Sequence, residues 1–314
     1  MRFFARRPLV AALLALLLGT APGCTFFEET FELEATVSGL ILASTRDSEF
    51  RAYEALESAI QADGQAFLAT RVEFSEAARQ NGIDLLPTRI ALINAAEVSE
   101  QLVAADPLIA LEFPQPLLLY TVDDERIVAG YNTADYLTAR YDVAGLPALD
   151  KYEERWQRFM QVATSNAPLV GPGPGTPARH EGIVEASLDE GAQDAEGAQD
   201  AFRVLTQVVR SRDDVQLVAR YDHTTEGGRP ALTMLLNQPA TSALLAVNSR
   251  TAAIDALLRI VVFEDASGAT QIAFVDPAYT AQRHGIADSA ANEVSRLRRI
   301  LDEIVVQVQG PLVP

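Results

Sequence analysis

The chain repeats itself. Aligning the 314-residue sequence on itself lays residues 39–44 over 182–187, 92–94 over 235–237 and 117–120 over 260–263, each at an offset of 143. Tyr136 falls on Tyr279 and Arg140 on Arg283 at the same offset. Between the first two blocks the offset becomes 149, with Tyr53, Leu56 and Leu68 over Phe202, Leu205 and Leu217, so six residues entered the second copy and six later left it. The gain is a tandem hexapeptide, residues 191–196 followed by 197–201. The loss falls between Phe74 and Arg89, where the first copy has residues 75–82, which read as a short helix, and the second has only 224–228, which read as a turn. Self-similarity at a fixed period implies two copies of one folding unit. Each unit, at about 100 residues, is long enough to bury a core.

Within the first copy, residues 40–43 read as a strand and 49–62 as an amphipathic helix with Phe50, Tyr53, Leu56 and Ile60 on one face. Residues 67–74 and 89–94 are further strands, and 97–105 a helix. A hairpin follows at 117–122 and 126–131, and then a helix at 133–141. In the second copy the hairpin, 260–264 and 270–275, turns through Asp265-Ala266-Ser267-Gly268. Helices at 150–163 and 292–308 follow the two copies. The expected fold is α+β: two tandem copies of a two-layer domain, each a mostly antiparallel sheet with helices packed on it. The expected organisation is a leader (1–23), a first copy (36–145), a helix (146–163), a linker (164–180), a second copy (181–288) and a terminal helical segment (289–310). The prolines and glycines between 168 and 177 make the linker an extended tether, with His180 solvated in it. Leu117 to Tyr120 and Ile260 to Phe263 are apolar at consecutive positions, so both faces of that strand need cover. Helices supply it on one face only, which predicts that the two copies pair face to face as an intramolecular pseudo-dimer.

The N-terminus carries Arg2, Arg6 and Arg7, an apolar run over residues 9–18, and Gly19-Thr20-Ala21-Pro22-Gly23 before Cys24. A positive start, a short apolar segment and small residues make an export signal, and ten apolar residues are too few to span a bilayer. Cys24 is the only cysteine, which excludes an intramolecular disulfide. Its place after small residues resembles the lipobox of bacterial lipoproteins, although Ala21 and Pro22 depart from that pattern. The resemblance implies lipidation at Cys24, a membrane partner through that anchor, and a location on the periplasmic or outer-surface side of the cell envelope. Ordinary cleavage near Gly23 and an uncleaved anchor are the other readings. A formal charge of −18 with no basic stretch disfavours nucleic acid as a partner.

Residues 276–286, Asp-Pro-Ala-Tyr-Thr-Ala-Gln-Arg-His-Gly-Ile, resemble the D-P-x-Y-x-x-x-R-H-G signature of the DUF302 family. The strand at 232–237 and the acidic hairpin fit it too. The first copy is a looser match through Tyr136, Arg140, the Pro87-Thr88-Arg89 lead-in and residues 77–82. The resemblance spans the bulk of both copies and implies a compact α+β domain. It implies no activity.

Every element of this signature has a structural use: Asp276 as a helix cap, Pro277 at the first helical position, His284 at the helix C-terminus and Gly285 as a left-handed exit. Tyr279 and Arg283 also lie on one helix face, where phenol and guanidinium can hold an anion or carboxylate with His284 as a third donor. The first copy offers Tyr136 and Arg140, with Tyr141 in place of His284. His223 is a candidate partner for His284 in a metal or proton-transfer pair. No spacing typical of a zinc site appears, and neither do a nucleophile elbow, a P-loop or a dinucleotide fingerprint, so no metal and no cofactor are expected. The residues point to a binding or interaction module for a small molecule or a protein. The alternative is an envelope enzyme using the Tyr/Arg/His cluster of the second copy.

Overall fold

The computed structural model describes residue 33 and residues 36–123, 126–188, 197–224 and 228–310. The apolar leader, Cys24 and the first hexapeptide, 191–196, lie outside these residues. The first copy runs β1 (Leu40–Thr45), α1 (Glu49–Asp63), β2 (Phe67–Glu73), α2 (Phe74–Gln80), β3 (Thr88–Asn94) and α3 (Ala96–Ala105). A 3-10 segment (Pro107–Glu112) leads into β4 (Gln115–Asp123), β5 (Arg126–Asn132), α4 (Ala134–Arg140), α5 (Pro147–Ala163) and the short β6 (Leu169–Val170). The second copy runs β7 (Ile183–Ser187), α6 (Ala198–Arg210), β8 (Gln216–Asp222), β9 (Ala231–Asn237) and α7 (Pro239–Asn248). A second 3-10 segment (Arg250–Asp255) precedes β10 (Leu258–Glu264), β11 (Thr270–Val275), α8 (Pro277–Arg283) and α9 (Ala291–Gln309). No described helix is long and apolar enough to cross a membrane.

Two antiparallel sheets carry these elements, in the orders β2-β3-β4-β5-β1-β6 and β7-β11-β10-β9-β8. Without β6 the strand orders of the two copies are identical, and the likeness extends to irregularities. The β2–β3 register shifts between Leu68 and Thr70, and the β8–β9 register shifts between Leu217 and Ala219, the same place in each copy. Between β8 and β9 no helix replaces α2 among the described residues, so α2 is a feature of the first copy and packs on α7 of the second.

Three expectations need correction. Phe50 is 67% exposed, and the buried face of α1 is Ala52, Tyr53, Leu56 and Ile60. At 3.6 residues per turn Phe50 lies about 100° from the centre of that arc. The linker is not a free tether. Leu169–Val170 pairs with β1, opposite Ala43 and Leu42, and Ser38 Oγ donates to Gly175 O at 2.7 Å. Proline is tolerated beside an edge strand, and the linker covers backbone groups that β1 would otherwise leave open. His180 is held rather than solvated: its Nε2 lies 3.1 Å from Asp106 Oδ2 and its backbone N–H donates to Arg140 O.

Both faces of each central strand are buried, with Leu117, Leu118, Leu119, Ile260, Val261 and Val262 all at 0% exposure. In the first sheet, the face carrying Ile93, Leu117, Leu119 and Tyr131 shares a core with α1, α3 and α5. Its other face, with Ile90, Leu92, Leu118 and Val128, is buried with Ala252, Ala253 and Ile254 from the 3-10 segment of the second copy. The reciprocal holds for the second sheet, where Ala231, Val261, Phe263 and Ala273 join the cluster that contains Leu108 to Leu111. Thr233 Oγ1 donates to Ala110 O at 3.0 Å within that contact. Each copy thus covers the open face of the other with the same 3-10 element.

Candidate functional site

The two 3-10 segments end on acids, Glu112 and Asp255, and each leads within the same copy to a helix carrying Tyr-x-x-x-Arg. Local sequence aims these helices. Thr133 caps α4 by accepting from Tyr136 N, and Asp276 caps α8 by accepting from Ala278 N at 2.9 Å. Pro277 holds the first helical position of α8, and Gly285 follows the helix at φ +67°. Tyr136 and Tyr279 pack against Gly39 and Gly182. A Cβ at Gly182, where φ is +71°, would sit 2.2 Å from the Tyr279 ring. Only glycine leaves that slot open.

In the first copy Arg140 Nη1 donates to Glu112 Oε1 at 2.6 Å and to Tyr136 Oη at 2.9 Å, and Tyr141 Oη donates to the same Glu112 oxygen at 2.8 Å. In the second copy Arg283 Nη1 donates to Asp255 Oδ2 at 2.6 Å, and His284 Nε2 lies 2.8 Å from that oxygen. His284 Nδ1 lies 3.0 Å from Thr251 Oγ1. Each arginine also reaches into the other copy. Arg140 Nη2 donates to Glu181 O at 2.8 Å, and Arg283 Nη2 donates to Ser38 O at 2.8 Å and Asn132 Oδ1 at 2.7 Å. The guanidinium of Arg140 stacks 4.6 Å from the Tyr279 ring centre and that of Arg283 4.1 Å from Tyr136. The tyrosine hydroxyls face each other at 3.4 Å. Acid, tyrosine, arginine and carbonyl acceptor all recur at the offset of 143, so a pseudo-twofold axis passes between the two hydroxyls.

Burial sets the charge states. It pushes the Tyr136, Tyr141 and Tyr279 phenols up, and they stay protonated. Burial opposes the Asp255 carboxylate as well, but Arg283, His284 and Arg259 outweigh it and hold Asp255 well below the usual carboxylate range. His284 is pushed down by burial, only partly offset by Asp255. As a neutral imidazole it donates from Nε2 to Asp255 and accepts from Thr251 at Nδ1. A small, partly open cavity of about 20 Å³ lies between the copies, lined by Glu112, Tyr136, Arg140, Asp255, Arg259 and Tyr279 among others. A volume of that size holds about one water. The arrangement can therefore clamp two chain segments together, but it has no room for an organic substrate.

The structure brings together five of the sequence candidates: Tyr136, Arg140, Tyr279, Arg283 and His284. His223 is not among them, and it does not pair with His284. Its ring lies 6.3 Å from Phe113 and 6.2 Å from Tyr221, its Nε2 has no hydrogen-bond partner, and burial pushes it down to about 4. No group of three or more His, Cys, Asp or Glu able to hold a metal occurs among the described residues. Sequence reasoning misses Glu112 and Asp255, although their spacing equals that of the tyrosines and arginines. An acid recurring at that interval, each in a largely apolar stretch, is the signal that points to them.

No curated protein matches the chain. The crystal structure of an uncharacterized conserved DUF302 protein from Bacillus stearothermophilus is similar, with 15% identity and a TM-score of 0.35 over 40% of this chain and 98% of its own. The profile of the "Domain of unknown function DUF302" matches residues 43–163 and 215–304. With more than half of its length matched, and a Tyr-Arg pair in each stretch, the chain belongs to the DUF302 family.

Proposed function

We propose that this protein is an exported, lipid-anchored module of the bacterial cell envelope whose two DUF302 copies act as one intramolecular pair, serving binding or interaction rather than catalysis. In this reading the Tyr-x-x-x-Arg signature is the clasp of the pair. The observation that carries it is the reciprocal reach of Arg140 to Glu181 O and Arg283 to Ser38 O. Each signature arginine thereby meets a carboxylate of its own copy, a carbonyl of the other copy and the opposite tyrosine ring. The cavity at the centre gives no support to an enzyme built on Tyr279, Arg283 and His284, because its volume of about 20 Å³ is that of a single water. Export and anchoring at Cys24 rest on the leader sequence.

Cutting the connection between the copies tests the clasp. A protease recognition sequence inserted after Pro177, in the form lacking residues 1–24, allows the backbone to be severed in the native state. The two fragments are expected to co-elute at the mass of the uncut monomer and to part only in denaturant. Fragments that separate freely on a native sizing column would overturn the pairing role.

A further inference from the structure

Arg259, on β10, is 6% exposed. Its Nη1 donates to two backbone carbonyls, Leu111 O at 2.9 Å and Pro114 O at 3.4 Å. Among the described residues no carboxylate lies within ion-pair distance of it. Pseudo-symmetry supplies none either, since its counterpart in the first copy is Pro116. Buried charges in proteins are as a rule paired, and this one lines the small cavity between the two signature tyrosines.

The surroundings do not neutralise it. Arg140, Arg259 and Arg283 face two carboxylates, Glu112 and Asp255, which leaves one positive charge in excess, and protonation of His284 would only add to it. Donors are in surplus as well. Arg140 Nε is buried with no partner. Tyr136 Oη already accepts from Arg140, and only one proton can lie between the two tyrosine oxygens. The other hydroxyl proton meets no acceptor among the described residues. The cavity, about 20 Å³, is of the size of a single water, too small for a carboxylate or a phosphate.

We propose that this cavity binds one monatomic anion, chloride, as the counter-charge of Arg259, with hydrogen bonds from the tyrosine hydroxyl and the neighbouring guanidiniums. Such a site adds to the clasp and is tested separately from it, since the fragments can stay paired whether the cavity holds an anion or a neutral water.

A ligand that binds only the folded state raises Tm with its concentration. At constant ionic strength, with chloride replacing gluconate, Tm is expected to climb by about 2 °C for each tenfold rise in chloride above its dissociation constant. Sulfate, which does not fit, is expected to act as gluconate does. Arg259→Met is expected to abolish the chloride slope whatever its own Tm. Bromide soaked into wild-type crystals provides a measurement that needs no variant, with an anomalous peak expected between Arg259 and Tyr136. Equal Tm in chloride and gluconate, or a bromide peak confined to the surface, would overturn the proposal.

Discussion

Glu112→Gln is the most direct probe of whether the signature residues hold the fold together. Glu112 is 5% exposed and Arg140 1% exposed, and one Glu112 oxygen takes both the Arg140 and the Tyr141 hydrogen bonds. Glutamine keeps the shape and an acceptor oxygen but removes the charge, so Arg140 stays buried without a carboxylate. Breaking a buried pair from one side costs roughly 3–5 kcal/mol. Because glutamine preserves the hydrogen bonds we expect the lower end, about 3 kcal/mol, which for a chain of this length lowers Tm by roughly 5 °C. Differential scanning calorimetry reads this directly. Glu76→Gln, which breaks an exposed pair with Arg79, serves as the control and should leave Tm where it is. The double variant Glu112→Gln/Arg140→Met should recover part of the loss, since a neutral buried pair strands no charge. Groups retained for chemistry behave differently, because neutralising them often leaves stability unchanged or raised. A Glu112→Gln protein melting within about 2 °C of wild type would refute the structural account of the clasp.

Two further outcomes are expected. Burial lowers the folded value of His223 to about 4 from 6.5, so the unfolded chain takes up the proton first as pH falls, and the stability tied to this histidine is intact above about pH 6.5 and lost on the way down to about 4. Its share by pH 4.5 is about 2–3 kcal/mol. Urea unfolding of His223→Phe should show a correspondingly smaller loss between pH 7 and pH 4.5, and the same pH dependence in variant and wild type would sink this reasoning. In cells fed a palmitate analogue the wild-type protein should be labelled and Cys24→Ala should not, whereas equal labelling of both would remove the anchor.

Residues that interact along the chain, or that recur at the repeat interval, are legible in the amino-acid sequence alone. Strand and helix positions follow from the spacing of apolar residues, and the α+β class follows from their order. The cap at Asp276 and the exit at Gly285 are readable because a helix end is satisfied by residues beside it. Phe50 is misplaced by its sequence because a helical face read from a few apolar residues has a soft edge, and only the packing against the sheet locates its centre. Consecutive apolar residues at 117–120 and 260–263 show that a second layer of cover is needed, but not that a 3-10 segment of the other copy supplies it.

The clasp shows the division most clearly. Tyr136, Arg140, Tyr279 and Arg283 stand out by type and spacing, and a phenol and a guanidinium on one helix face suggest an anion. Tertiary structure decides which anion: Asp255 for Arg283 and Glu112 for Arg140, both from within the chain. It also places the Ser38 carbonyl, 245 positions from Arg283, against that guanidinium, and a backbone acceptor carries no mark in the residue that bears it. The two histidines make the same point. His284 and His223 are one residue type and both are buried, yet one meets Asp255 and Thr251 while the other lies between Phe113 and Tyr221 with its Nε2 unpaired. Chain-local geometry is encoded in sequence spacing, whereas the partner of a long polar side chain depends on which distant segments the closed core brings within about 3 Å.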